Sequence, residues 1–333
     1  MKKKLFSFLL SLVFLFSIMP VNEVNAQTNN SSLISIAQQF INMASVSPID
    51  YGLENSTYDN LQLSKALTSY KYDDTGALEA IPDTKYYFVL NNYEPIATLI
   101  ENSSGAIMFE TDTAKEVNAF PSNSFTLIGD ENGIHLANSI FDSTLTDNVT
   151  VFTLTPNNSL STVNAAASIP SSYGLSVPIK LQGNYNDCWA ASVASILQYK
   201  KGTNKTALQV CDDNNIGYNA GASPDQIHQA LSNYNITNSI LGGFIYSISD
   251  IYNVLSAGQI PLALCNTTSG AGHAIVIRGY NSSTQGAYLS VMDPNYSSYC
   301  MLFTAVVPGT TTYSWSFSYG TLTFYWVNTC LAY

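Results

Sequence analysis

The sequence predicts an α+β protein made of two folding units: a helix followed by an antiparallel sheet, and then a helical part followed by an antiparallel β part. Three observations predict this organisation. Helical periodicity opens each unit, and strand-like apolar runs follow it. From Gln27 to Ile169, 4 Lys stand against 16 Asp or Glu, a net charge of −12, whereas 5 basic and 6 acidic residues from Pro170 to Tyr333 give −1. An uncharged stretch rich in Asn, Ser, Ala and Pro separates these regions and predicts an exposed linker at residues 155–172.

The N-terminus has the pattern of an export signal. Three lysines at positions 2–4 precede the uncharged apolar run Leu5 to Met19, and Val24-Asn25-Ala26 is a small-residue cleavage site. The apolar run is shorter than the ~20 residues that a spanning helix needs. We therefore expect residues 1–26 to be a signal peptide, and we expect a secreted, extracellular protein without a stable membrane anchor.

The first unit is predicted to span residues 27–154. Apolar residues from Leu33 to Met43 recur at helical spacing, with Ser32 as a possible N-cap. Strand-like runs follow at "LQLSKALTSYKY", "KYYFVLNNYEPIATLIE", "AIMFET" and "VFTLTP", and "SSGA" predicts a hairpin turn. No catalytic constellation is apparent in this unit, whose single histidine, His135, reads as a loop residue.

The second unit is predicted to span residues 173–333. Helices are indicated by "CWAASVASILQYKKG", by "SPDQIHQALSN" with Ser223 and Gln226 as a capping box, and by "SDIYNVLSAG". Strands are indicated by "IPLALCN", "HAIVIRGYN", "AYLSVMDPN" and "MLFTAVV". In "TTYSWSFSYGTLTFYWVN", aromatic residues at 313, 315, 317 and 319 alternate with Ser and Thr, which predicts a half-buried strand.

Composition excludes several classes of function. A net charge of −11 argues against a nucleic-acid partner, whose phosphates require a basic face. No Gly-rich phosphate loop and no Cys-x-x-Cys pair is present, so we expect neither a cofactor nor a metal site. We expect a monomer.

The cysteines pose a choice between a nucleophile and disulfides. All five lie in the second unit: Cys188, Cys211, Cys265, Cys300 and Cys330. Because export favours disulfides and the number is odd, one nucleophile and two disulfides are the simplest prediction. The sequence leaves the pairing of Cys211, Cys265, Cys300 and Cys330 open.

Cys188 is the predicted nucleophile. It begins a helix, where the dipole favours a thiolate, although the carboxylate of Asp187 beside it opposes this effect. A base must also be near, and His273 heads an apolar strand after Gly270 and Gly272, which leave room for a substrate or a side chain. His228 reads as a surface residue on a short helix.

A third polar group is needed to orient the histidine. Asp293 lies 20 residues beyond His273, where a returning neighbour strand would bring it alongside. Asn295 in the same "DPN" segment is the competing candidate, and the segment is also typical of a turn. Gln182 precedes Cys188 by six residues, and its amide is a candidate oxyanion donor together with the backbone N–H of Cys188.

Together, "QGNYNDCWAAS", "GAGHAIVIRGY" and "VMDPN" resemble the papain-like cysteine peptidases, most closely the compact bacterial secreted type that includes the staphopain-like enzymes. The resemblance implies that Cys188 is the nucleophile, Gln182 the oxyanion donor, His273 the base and Asp293 its partner. It also implies that Trp189 and Gly272 contact substrate. The interval from Cys188 to His273, 85 residues, is shorter than the ~130–150 of papain-type enzymes. The resemblance covers about half of the chain, from Pro170 onward.

The resemblance implies a function for both units. We expect a secreted cysteine endopeptidase, a hydrolase acting on proteins or peptides, made as a zymogen. The first unit would be its inhibitory and folding-assisting propeptide, released by cleavage in the linker; a stable binding domain is the alternative. Two other functions remain open: transglutaminase, deamidase or cell-wall amidase activity by the same thiol chemistry, and a non-catalytic surface-binding protein.

Overall fold

The computed structural model describes residues 30–54, 58, 61–121, 124–130, 133–138, 150–151, 169–241, 247–282, 286–305 and 315–333. Within these ranges the helices are α1 (Asn30–Ala44), a short 3-10 helix (Pro48–Tyr51), α2 (Asp112–Ala119), α3 (Cys188–Lys201), α4 (Ala207–Asp213), α5 (Pro224–Asn233) and α6 (Ile248–Ser256). The strands are β1 (Leu61–Leu63), β2 (Leu67–Tyr72), β3 (Leu78–Asn91), β4 (Glu94–Asn102), β5 (Ile107–Glu110), β6 (Phe125–Asp130), β7 (Gly133–Asn138), β8 (Thr150–Val151), β9 (Ser172–Gly174), β10 (Asn238–Leu241), β11 (Ile260–Asn266), β12 (Gly272–Ser282), β13 (Gly286–Met292), β14 (Cys300–Ala305), β15 (Ser316–Tyr319) and β16 (Leu322–Ala332).

The predicted signal peptide and residues 155–168 of the predicted linker lie outside the described residues. Past that segment, β9 pairs with β12, so the chain has joined the second unit's sheet by Ser172. None of the helices in the described ranges is both long and apolar enough to cross a membrane.

The first unit contains the predicted helix and sheet, with two differences. Helix α1 begins at Asn30, so Ser32 lies inside its first turn and is not the N-cap. The short polar helix α2 was not predicted from the sequence. The hairpin at "SSGA" is confirmed: β4 and β5 pair, and the Asn102 side chain accepts hydrogen bonds from the backbone N–H groups of Ser104 and Ala106, both at 3.1 Å.

The second unit follows its predicted elements closely at the helices. Gly202 ends α3 in the left-handed conformation with a φ of 68°, and Ser223 forms a capping box with Gln226 at the start of α5. Helix α4 was not predicted, although Thr206 and Gln209 form a capping box there too. Strand β10 comes between α5 and α6, so the helices do not all precede the strands.

The C-terminal aromatic run differs from its predicted form. It was expected to be one half-buried strand, but it is a hairpin of β15 and β16 that turns at Gly320. The φ of Gly320 is +56°, and an added Cβ would lie 2.0 Å from the Asp130 carbonyl oxygen, so this turn requires glycine. Strand β15 is largely buried on both faces, which removes the alternation expected of a half-buried strand.

A single sheet runs through both units. Its main path is β10-β16-β11-β12-β13-β14-β5-β4-β3-β2-β6-β7, and the junction between the units is the antiparallel pair β14 and β5. Helices α1 and α3 to α5 contribute to the hydrophobic core on one face, and α2 and α6 contribute to the core on the other. The protein is therefore a mixed α/β fold with one large, mainly antiparallel sheet.

Candidate active site

Cys188 is the first residue of α3. The apolar residues of this helix, from Trp189 to Leu197, are buried, and the Cys188 side chain is partly exposed at the helix N-terminus. The first N–H groups of a helix lack intrahelical acceptors, and the dipole there favours negative charge. This position suits a thiolate.

The segment before Cys188 is held by the loop that contains Asn219 and Ala220. Asp187 Oδ1 accepts a hydrogen bond from Asn219 N at 2.9 Å, and Asn219 Oδ1 accepts one from Asn186 N at 2.9 Å. Trp189 Nε1 donates to the Ala220 carbonyl at 3.0 Å. The Asp187 side chain makes no capping hydrogen bond to α3, so it anchors this loop and does not cap the helix.

Burial raises the pKa of Asp187, although hydrogen bonds from Asn219 N and the Cys211 thiol oppose the shift. Burial also raises the pKa of Cys211, to about 12, and the charge of Asp187 adds to the shift. Cys211 is therefore a neutral hydrogen-bond donor at physiological pH, and Asp187 interacts with it and with the loop.

Trp189, expected to contact substrate, lies in the core. Its side chain is 2% exposed, which leaves the indole almost no surface to offer a ligand. Its single N–H is already bonded to Ala220. In this structure the residue supports the nucleophile's helix.

His273 stands at the head of β12, opposite Cys265 on β11. The two elements that carry Cys188 and His273 are joined by a buried hydrogen bond of 3.0 Å from Ser192 Oγ on α3 to the Ala274 carbonyl on β12. The sequence analysis missed this contact. Two serines, at 192 and 195, within an otherwise apolar helix were the available signal, since a buried hydroxyl requires a partner.

His273 is paired with Asp293. Strands β12 and β13 are antiparallel with Val276 opposite Met292, and Asp293 follows β13 directly. His273 Nε2 lies 2.9 Å from Asp293 Oδ1, and the two side chains are 6% and 1% exposed. Asn295 Nδ2 lies farther from the same nitrogen, at 3.5 Å, and its backbone N–H donates to Asp293 Oδ1 at 3.0 Å.

The geometry distinguishes the two candidates for the third residue. A protonated Nε2 and the Asn295 amide nitrogen are both donors, so the acceptor for the imidazole is the Asp293 carboxylate. The Cys188 side chain is close enough to His273 for its negative charge to raise the pKa of the imidazole. Because Nε2 faces Asp293, Nδ1 is the nitrogen that remains for the thiol.

The protonation state of His273 is set by opposing effects. Burial lowers the pKa of His273, but the negative charges of Asp293 and Cys188, with the hydrogen bond to Asp293, raise it to about 10. At neutral pH the imidazolium form of His273 is therefore favoured. A thiolate and imidazolium held together are a nucleophile and a general acid.

Aromatic residues of the β15–β16 hairpin enclose His273. The imidazole stacks on Tyr319 with an interplanar angle of 9° and a centroid distance of 6.3 Å, and the Phe324 and Phe317 rings lie 5.4 Å and 6.1 Å away. These rings exclude water, which strengthens the electrostatic interaction with Asp293.

Gln182 and Gly272 lie beside the pair. Gln182 N donates to the Pro294 carbonyl at 3.1 Å, which ties Gln182 to the segment that carries Asp293 and Asn295. The Gln182 side-chain oxygen is buried and makes no protein hydrogen bond. Gly272 is exposed next to His273, and an added Cβ would make only ordinary contacts, so it leaves space at the surface.

The other two histidines lie elsewhere. His228 Nδ1 is hydrogen-bonded to Asn238 Oδ1 at 2.5 Å, and it is partly buried, not fully on the surface as predicted. His135 lies on β7, not in a loop, with Nε2 3.2 Å from Asp130. In the described part of the chain, no group of three or more His, Cys, Asp or Glu is placed to hold a metal ion.

The predicted disulfides are absent, and all five cysteines are free thiols. Cys265 on β11 and Cys300 on β14 are separated by two intervening strands. At about 4.8 Å between neighbouring strands, their Cα atoms are ~14 Å apart, beyond the ~7 Å limit for a disulfide. Cys211 and Cys330 lie in the core on the opposite side of the sheet from Cys265 and Cys300.

Comparison with known families supports peptidase chemistry for the second unit. Residues 171–304 match the family described as "Papain-like cysteine protease AvrRpt2". This segment is a papain-like cysteine peptidase domain. The match includes Gln182, Cys188, His273 and Asp293, and the first unit lies outside it.

None of the curated proteins matches the sequence. Among solved structures, part of this chain is similar to a chain from a study of the limited antibody cross reactivity between the mite allergens Blo t 1 and Der p 1. The identity is 12%, the match covers 43% of this chain and 73% of that chain, and the TM-score is 0.28. A TM-score this low does not support a shared fold, so the peptidase family is supported by the family match alone.

Proposed function

We propose that the protein is a secreted cysteine endopeptidase in which Cys188 attacks the peptide carbonyl and His273 and Asp293 assist. The observation that carries the proposal is the pairing of His273 Nε2 with Asp293 Oδ1 at 2.9 Å, beside a Cys188 side chain that interacts electrostatically with the imidazole. The proposed nucleophile, base and orienting carboxylate thus belong to one site.

The reaction follows from the position of each group. His273 accepts the thiol proton, and the Cys188 sulfur bonds to the carbonyl carbon while the C=O electron pair moves to oxygen. His273 then gives the proton to the leaving amine as the C–N bond breaks, which leaves a thioester. Water, deprotonated by His273, hydrolyses the thioester and releases the acid and free Cys188.

The developing oxyanion needs donors. The backbone N–H of Cys188 stands in the first turn of α3, where N–H groups lack intrahelical acceptors. Gln182 supplies a side-chain amide beside the Asp293–Asn295 segment. Both are proposed as donors to the oxyanion.

We extend the proposal to the first unit, as a folding-assisting propeptide of a zymogen. Its β6–β7 turn contacts the β15–β16 hairpin, whose Tyr319 stacks on His273: Thr321 N donates to the Asp130 carbonyl at 3.2 Å. The first unit is thus linked through this hairpin to the surroundings of the proposed base. Mass analysis of the secreted protein tests the processing step, and a chain that stays intact from Gln27 while fully active would refute it.

Replacing Cys188 with Ala tests the chemistry. We expect loss of casein hydrolysis and of labelling by an epoxide inhibitor, because the other four thiols are buried and Cys188 alone is partly exposed. His273→Ala should also abolish hydrolysis, and His228→Ala is the matched control that should retain it. Unchanged hydrolysis in Cys188→Ala would refute the mechanism, whereas Cys188-dependent labelling with activity only on glutamine donors or peptidoglycan would identify a different acceptor.

A further inference from the structure

The loop after Asp293 is bound by the first unit at consecutive residues. Asp112, at the start of α2, accepts hydrogen bonds from Ser297 N at 2.6 Å and from Ser297 Oγ at 2.8 Å. Thr111 Oγ1 and Ser298 Oγ lie 3.0 Å apart. A carboxylate that accepts two hydrogen bonds from one residue fixes both its backbone and its side chain.

Tyr299 extends the contact between this loop and the first unit. Tyr299 N donates to the Asp50 carbonyl of the first unit at 2.9 Å. On the other side of the loop, Tyr296 N donates to the Asp293 carbonyl at 3.0 Å, forming a tight turn. Only three residues thus separate Asp293, which holds His273, from a residue that the first unit holds.

The sheet joins the units immediately after this loop. In β14, Met301, Leu302 and Phe303 pair with residues 109, 108 and 107 of β5. The backbone groups on that side of β14 are therefore satisfied by the first unit. Without it, β14 would become an unpaired apolar edge, which favours aggregation.

Each face of this junction is covered by a hydrophobic core to which both units contribute. On one face, Phe40 of the first unit packs 5.2 Å from Phe109 and 5.1 Å from Tyr288 of the second, between ring centroids. On the other face, Phe88 and Met108 belong to the same buried cluster as Leu302 and Phe317. Separating the units would expose apolar side chains on both faces to water.

A buried charge would also lose a partner. Arg278, the one arginine of the chain, is 9% exposed and donates to Ser290 Oγ at 2.8 Å and to Tyr51 Oη at 3.3 Å. Its guanidinium lies 3.9 Å from the centre of the Tyr299 ring. Tyr51 comes from the first unit, so removing that unit would uncover this site on the strand that also carries His273.

We propose that the first unit is not discarded after cleavage of the linker but stays bound as a permanent subunit, and that its Asp112 is a positioning residue for the Asp293 loop. Cleavage then changes the connection between the units and not their contact. The retention of the unit is independent of the proposed function, whereas the positioning role rests on the proposed Cys188–His273 chemistry.

Retention is tested on the full secreted chain. A site for a specific protease is placed within residues 155–168, the chain is cut, and the product is run on gel filtration at low micromolar concentration. We expect both fragments to elute together at the volume of the uncut protein, also in 0.5 M NaCl, because the junction is mainly apolar and β-paired. Separate elution of the two fragments would overturn the proposal. This result requires no activity, so it is distinct from failure of the proposed function.

Positioning is tested by the rate at which iodoacetamide alkylates Cys188, which reports the thiol and imidazole without requiring a substrate. We expect Asp112→Ala to lower this rate several-fold and to lower kcat on peptide with little change in KM. Asp112→Asn should restore the parent values, because its amide oxygen can accept from Ser297 N and its NH2 can donate to Ser297 Oγ.

Glu79→Ala is the matched control, since this exposed first-unit carboxylate pairs with Lys71. It should leave the alkylation rate unchanged. If Asp112→Ala does not fold, the milder Ser297→Ala, which removes only one of the two bonds, replaces it. A parent-like alkylation rate in a folded Asp112→Ala or Ser297→Ala protein would overturn the positioning role.

Discussion

His273 Nε2 and Asp293 Oδ1 lie 2.9 Å apart inside an enclosure of aromatic rings, and the carboxylate is almost fully buried. Burial alone would lower the pKa of the imidazole, and the negative charges of Asp293 and Cys188 keep the imidazolium stable, with that of Asp293 having the larger effect. In Asp293→Asn we therefore expect the alkaline limb of kcat/KM to move down by about 1–3 pH units. A pH profile from 5 to 11 measures this change.

Asn295→Ala is the matched control for that prediction. It removes the amide that lies 3.5 Å from His273 Nε2 but keeps the Asp293 charge and the backbone N–H of residue 295. The alkaline limb should stay near that of the parent. A large shift in Asn295→Ala together with none in Asp293→Asn would assign the orienting role to Asn295.

Gln182→Ala should reduce kcat by on the order of 10²–10³ with little change in KM, because an oxyanion donor acts mainly in the transition state. Steady-state kinetics on a peptide substrate measure the two constants. Gln229→Ala, an exposed glutamine on α5 bonded to Asn233, should retain the parent kcat. A rise in KM at unchanged kcat would instead assign substrate binding to Gln182.

Alkylation should distinguish Cys188 from the other four thiols. Burial raises the pKa of Cys330 to about 11 and of Cys211 to about 12, and it raises that of Cys265 and Cys300 well above the usual range. These thiols remain protonated and inaccessible at pH 8. Mass spectrometry of the native protein should show one alkylated cysteine, and none in Cys188→Ser.

After unfolding in urea without reductant, all five cysteines should be alkylated, because all are free thiols. Fewer than five would show that the protein contains disulfides. Two or more alkylated residues in the native state would contradict the inaccessibility of the buried thiols.

Local signals predicted the parts of the fold that depend on neighbouring residues. The capping box of Ser223 and Gln226 and the stop at Gly202 are confirmed, because caps are made within one turn of the helix. The adjacency of β12 and β13 is also confirmed, since short connections favour antiparallel neighbours.

Contacts between distant segments were not predictable in the same way. The edges of β5 and β14 both present backbone groups and apolar side chains, but no local sequence pattern predicts that these two strands pair with each other. Likewise, aromatic alternation predicted a half-buried β15, whereas packing on both faces buries its serines as well. The Ser192–Ala274 and Asp112–Ser297 contacts join residues far apart in the sequence. They form only in the assembled fold, and no residue spacing in the sequence predicts them.

Glu110 should make stability depend on pH. It is fully buried on β5, where burial raises its pKa to about 7 from the ordinary 4.5, although Thr113 N donates to it at 2.9 Å. A carboxyl whose native pKa is raised binds its proton more tightly in the native state. The contribution of the Glu110 carboxyl to the free energy of unfolding is therefore fully present below about pH 4.5, and it is lost as the pH rises through about 7. The difference between the native and the ordinary pKa of Glu110 corresponds to ~3 kcal/mol of folding free energy.

Glu110→Gln tests this contribution, because an amide stays neutral and can still accept from Thr113. Urea unfolding should give similar free energies of unfolding for parent and variant at pH 5, and a variant more stable than the parent at pH 8, by up to ~3 kcal/mol. Glu79→Gln, at an exposed carboxylate, should follow the parent at both pH values. If Glu110→Gln has the parent's pH dependence, the Glu110 carboxyl does not titrate in this range. A positive result would place a proton-sensitive group two residues before Asp112, on the strand that joins the two units.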